Sequence, residues 1–66
     1  MTITEIRASE KSLLTPADIA DALEADPQAI RVTARETPTL IRYPFTFVGN
    51  RMKIPREGFL QWYDGR

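Results

Sequence analysis

The sequence predicts a small α+β domain of three helices and a two-stranded β-hairpin, and three local patterns carry that reading. From Phe45 to Ile54 the chain reads Phe-Thr-Phe-Val-Gly-Asn-Arg-Met-Lys-Ile, two alternating runs joined by a Gly-Asn pair. Such a pair tolerates the positive backbone angles that a two-residue hairpin turn requires. Thr15-Pro16 and Asp26-Pro27 each place a capping side chain directly before a proline, the combination that opens a helix. Phe59, Trp62 and Tyr63 stand at i, i+3 and i+4, one apolar stripe on a closing helix.

Residues 1–12 offer only Ile3 and Ile6 as apolar anchors and are read as a flexible N-terminal arm, with a short helix as its alternative form. The folded domain then spans residues 13–66. Thr15 caps its first helix, Asp18 three residues on is an acidic capping-box partner, and Leu14 is placed to staple Ile19. Ile19 and Leu23 mark that helix's buried side, Ala20 allows another helix to approach closely, and Asp18, Asp21 and Glu24 form a solvated face. The second helix follows after a tight turn and runs from Pro27 to about Glu36, where Thr37-Pro38 stops it. Ile30, Thr33, Ala34 and Thr37 fall on its inner side, and Gln28, Arg31, Val32 and Arg35 on its outer side. Residues 37–44 carry two prolines and read as a loop whose Leu40, Ile41 and Tyr43 tuck back onto the core.

With a two-residue loop, Val48 lies opposite Arg51, Phe47 opposite Met52, Thr46 opposite Lys53 and Phe45 opposite Ile54. The pleat therefore sorts Phe45, Phe47, Met52 and Ile54 onto one apolar face, and Thr46, Val48, Arg51 and Lys53 onto a basic one. A lone hairpin is at best marginal in water, so the apolar face must lie on helices, leaving the basic face free for a polyanion.

Composition removes whole classes of chemistry. Cysteine and histidine are both absent, which excludes disulfides, thiol nucleophiles, imidazole bases and zinc sites built on those ligands. A 66-residue chain buries only about 60% of its unfolded surface, too little for a deep catalytic cleft, so neither an enzyme nor a cofactor site is expected. No apolar run approaches the roughly 20 residues a membrane span needs, and Met-Thr-Ile-Thr-Glu-Ile-Arg lacks a signal-peptide pattern. The expected setting is the cytoplasm, without a membrane partner.

The formal net charge is zero, which taken alone argues against a nucleic-acid binder. Its distribution argues the other way. Residues 1–26 hold Arg7 and Lys11 against six carboxylates, a net of −4, while residues 27–56 hold Arg31, Arg35, Arg42, Arg51, Lys53 and Arg56 against Glu36 alone, a net of +5. Positive charge is thus concentrated on the second helix and the hairpin.

Two short helices across a tight turn, a basic hairpin and a closing helix make a small winged helix-turn-helix. Ala20, the turn near Glu24 and Ile30 fall at the small, turn and apolar positions of that signature. The segments Leu14–Leu23, Asp26–Arg31 and Val48–Arg56 resemble the excisionase-type and MerR-type winged-helix proteins, over residues 13–63. The resemblance implies a non-catalytic double-stranded DNA binder whose recognition helix (about 27–36) enters the major groove while its wing (about 45–54) lies on the backbone. Gln28, Arg31 and Arg35 match the outward positions of the recognition helix, and Arg51 and Lys53 those of the wing; Arg42 and Arg56 are weaker candidates. Implied partners are a recombinase, or another copy of the chain on adjacent sites, in recombination or transcription regulation. Two positions depart from the pattern: Glu24 stands where the family has its turn glycine, and Gly58 lies inside the closing helix.

Blander readings compete at each position. Arginines at helical spacing are commonly solvated charges, and Arg51 and Lys53 would also serve to keep an edge strand from aggregating. The aromatic residues Phe45, Phe47, Trp62 and Tyr63 could form a base-stacking platform, but a core this small needs them. Asp18, Asp21 and Glu24 lack calcium-loop spacing. The alternative function is a protein-interaction module, docking through the acidic face of the first helix or through Leu40, Ile41 and Tyr43.

Overall fold

A computed structural model describes all 66 residues. It contains four α-helices, α1 (Ile3–Ala8), α2 (Pro16–Leu23), α3 (Pro27–Glu36) and α4 (Arg56–Gly65), with a 3₁₀ turn at Pro38–Leu40. Strands β1 (Leu13–Leu14), β2 (Thr46–Val48) and β3 (Arg51–Pro55) form one antiparallel sheet in the order β1-β3-β2. The fold is α+β, with no helix long and apolar enough to cross a membrane.

Two features exceed the three helices and two strands expected from sequence. Residues 3–8, expected within an arm, form α1. Its start is closed by a capping box, in which the Glu5 amide donates to Thr2 Oγ1 at 3.2 Å and the Thr2 amide to Glu5 Oε1 at 2.8 Å. Six residues are too few to hold a helix by propensity alone; Ile6, fully buried, anchors it in the core. The second feature is β1, which pairs Leu13 with Pro55 and Leu14 with Ile54 along the free edge of β3. The hairpin is thereby the outer part of a three-stranded sheet.

The helix starts follow their sequence signals. Thr15 and Asp18 form a second capping box, and Asp26 Oδ1 accepts from the Gln28 amide at 3.1 Å at the head of α3. Between the two helices Glu24 sits in the left-handed region at φ 54, with its N–H reaching back to the Ala20 and Asp21 carbonyls and the Ala25 amide donating to Ala20 at 3.0 Å. This is a Schellman closure, a place glycine usually fills. The hairpin turn solves the same problem with Gly49, at φ 62, and its register pairs Val48 with Arg51, Phe47 with Met52 and Thr46 with Lys53.

The core joins Ile6, Leu14, Ile19, Ala20, Ile30, Ala34, Tyr43, Met52, Ile54 and Phe59. Tyr43 meets Phe59 edge-on, ring centroids 5.3 Å apart. Phe45, Phe47, Trp62 and Tyr63 are half-buried around this centre, so the hairpin's inner face is sealed at Met52 and Ile54 and looser at its phenylalanines. Leu40 and Thr37, expected to turn inward, point to solvent: the 3₁₀ turn carries Leu40 outward, 66% exposed, while Tyr43 reaches the core from the following extended segment. Gly58 is explained by Pro44, whose ring lies where a Cβ at Gly58 would stand.

Candidate nucleic-acid interface

The start of α2, the start of α3 and the hairpin enclose an open groove of about 400 Å³. Thr15, Pro16 and Ala17 form one wall, Pro27 and Arg31 a second, and Asn50 through Lys53 the third. Ala17 lies in the first turn of α2, so its amide has no carbonyl four residues back within the helix to donate to, and no other acceptor takes it.

Of the five residues expected to contact a ligand, the structure brings Arg31, Arg51 and Lys53 together on this groove. Arg31 comes from α3 and the other two from alternate positions on β3, which the pleat places on one face. None of the three forms an ion pair with a carboxylate, and no carboxylate lines the groove. Gln28 stands one turn before Arg31 and its Oε1 accepts from the Arg31 guanidinium, so it joins the groove through its neighbour.

Arg35 is placed differently. It lies outside the groove, with Nη2 donating to the Asn50 carbonyl at 3.3 Å and its guanidinium carbon 4.8 Å from the centroid of the Phe47 ring. Arg56 is also engaged, donating from Nε to the Lys11 carbonyl at 3.1 Å. Asn50 was missed by sequence reasoning. It lines the groove and holds Arg35 through its carbonyl, and the only available signal was its place at the tip of the turn. The structure also narrows the apolar docking surface of the alternative reading, because Tyr43 is buried and Ile41 half-buried, leaving Leu40.

Compared with known protein families, curated proteins and solved structures, the chain finds no match. What bears on its role is therefore the geometry itself.

The ion pairs of the protein lie elsewhere. Lys11 Nζ lies 2.6 Å from Asp18 Oδ2. Burial pushes the Asp18 carboxyl up, but the bonds from Lys11 and from the Thr15 amide outweigh it, and the carboxyl stays below its ordinary range. Asp64 is likewise held low by its hydrogen bonds from Arg7, and Asp21 faces the N-terminal amine at 3.4 Å. None of these carboxylates lines the groove, although Asp18 reaches its edge through the Thr15 amide, from which it accepts at 3.0 Å.

Proposed function

We propose that the chain is a small winged helix-turn-helix that binds double-stranded DNA without catalysis, with α3 entering the major groove and the β2–β3 hairpin acting as a wing along the backbone. The observation that carries the reading is the convergence of Arg31, Arg51 and Lys53 on one open groove without a carboxylate counter-charge. Guanidinium and ammonium groups held in this way suit phosphate oxygens, which dominate affinity for a duplex. The order of elements and the segments 14–23, 26–31 and 48–56 support it through their resemblance to excisionase-type and MerR-type proteins. On that reading the further partners are a recombinase, or second copies bound at adjacent sites. One module makes a small footprint, near 600–1,000 Å², so several copies would supply useful specificity.

Titration of a labelled duplex between about 50 and 200 mM salt tests this directly, since affinity should fall with a log–log slope of about −0.9 for each phosphate neutralised. Lys53→Ala should weaken all sequences alike and reduce that slope by about one. Arg31→Ala should cost roughly 1–3 kcal/mol on the preferred site and relax base preference at one position. A complex indifferent to salt would overturn the DNA reading in favour of a protein partner. Equal, sequence-independent losses from both substitutions would make α3 a backbone clamp instead of a base reader.

A further inference from the structure

The hairpin's packed backbone neighbours are β1, α2 and α4; β1 pairs at its base, with Ile54 and Pro55, and α4 continues from there. At its far end, residues 48–50 are exposed, and β2 is the outer strand of the sheet. The hydrogen bond that ties this end to α3 comes from Arg35, which spans 15 positions of sequence to reach the Asn50 carbonyl while its planar guanidinium covers Phe47. Two contacts at different points of the hairpin, one on β2 and one in the turn, fix both the distance and the tilt of the tip relative to α3. Asn50 and Arg51 belong to the groove wall, so the same contacts set the groove's width.

We propose that Arg35 is a positioning residue: it braces the hairpin tip against α3 and holds Arg51 and Lys53 at the spacing from Arg31 that one anionic backbone requires. This deepens the DNA reading and rests on it for its consequence, although the brace itself is a property of the free protein. Lysine does not substitute, because an ammonium lacks the planar fork that stacks on a ring while donating to a carbonyl.

The test uses the whole chain as wild type, Arg35→Met and Arg35→Lys. In the free protein, loss of the brace should speed amide exchange at Val48 and Arg51, which pair across the turn, by roughly fivefold, the equivalent of one net hydrogen bond, in both variants. Unchanged exchange at Ile19 and Phe59 shows that the fold is kept. With DNA, both variants should bind every duplex several-fold more weakly at an unchanged salt slope. A slope reduced by about one in Arg35→Met and restored in Arg35→Lys would identify a phosphate ligand and overturn the brace. A loss confined to the preferred sequence would identify a base reader and overturn it equally. Unaltered exchange at Val48 and Arg51 overturns it whatever the DNA result. If exchange rises but wild type binds no duplex, the brace stands and the DNA reading fails.

Discussion

Residues 1–26 and 57–66 hold every ion pair of the protein, whereas residues 27–56 hold none. All three ion pairs, the N-terminal amine with Asp21, Arg7 with Asp64 and Lys11 with Asp18, belong to the first region. In the second, Arg31 and Arg35 donate to the Gln28 side chain and the Asn50 carbonyl, Arg56 donates to the Lys11 carbonyl, and Arg51 and Lys53 form no ion pair. Neutral acceptors orient a cation without cancelling it. The first region thus spends its charges on holding short elements together, and the second keeps them available to an external anion, which is how a chain of zero net charge can still present a cationic face.

The two regions meet at a seam where Leu14 of β1 pairs with Ile54 of β3, both fully buried. Ile54→Ala should cost roughly 2–5 kcal/mol, a large part of the whole stability expected for a domain of this size, at about 0.05–0.15 kcal/mol per residue. Urea melts give the value. A loss below about 1 kcal/mol would show that the site collapses around the cavity and that the seam is not what unites the regions. Lys53→Ala, one position away on the opposite face, should stay within about 0.5 kcal/mol.

How far this division was legible in sequence depended on the range of the interaction. The helix caps at Thr15 and Asp26 and the hairpin register around Gly49 were readable because each is settled within four or five residues. Strand β1 was not, since two leucines carry no periodicity and become a strand only by lying beside β3. The helix α1 was read as the lesser alternative because its anchor, Ile6, gains its stability from core partners distant in sequence. For the groove, Arg31, Arg51 and Lys53 were legible as outward cations, and Arg35 is exposed as read; its contact with Phe47 was not legible, because helical periodicity gives the face of a side chain and not the ring it lands on. Gly58 looked like a defect until the Pro44 ring accounted for it.

That proline contact gives the next largest effect. Pro44 belongs to the second region and Gly58 to α4, so their close approach is another join between the two. Helix propensity alone would make Gly58→Ala stabilising by roughly 0.5–1 kcal/mol; the collision with a rigid ring should instead make it destabilising by roughly 1–3 kcal/mol. A thermal melt reads the sign, and a higher melting temperature for the alanine variant would mean that Pro44 moves aside freely.

Glu24 ends α2 inside the acidic region, and its positive φ is a strain that Gly49 avoids. Glu24→Gly should stabilise the protein by about 1 kcal/mol, the left-handed penalty on a side chain exceeding the unfolded-state entropy of glycine. A carboxylate at the C-terminal end of a helix also opposes the helix dipole, so Glu24→Gln separates the two causes. A smaller gain from glutamine than from glycine assigns the strain to the backbone, and equal gains assign it to charge. Unchanged DNA affinity in the glutamine variant would place this turn away from the phosphates.

The smallest effect lies in the dependence of stability on pH. Asp18, Asp64 and Glu5 all have carboxyls below their ordinary range. For Asp18 the bonds from Lys11 and the Thr15 amide overcome the upward push of burial, while Asp64 is lowered by Arg7 and Glu5 by the Thr2 amide. A carboxylate whose folded value is depressed stabilises the fold above its unfolded value, about 4, and loses that contribution as pH falls through the folded value. Stability should therefore be level from about pH 7 to pH 5 and decline below about pH 4, modestly, because exposed ion pairs contribute little. The decline should come from Asp18, Asp64 and Glu5, all three outside residues 27–56. Melting temperatures across this range for wild type and Asp64→Asn decide the matter. The variant should start lower at neutral pH and fall less on acidification, and parallel curves would remove Arg7–Asp64 from the acid response.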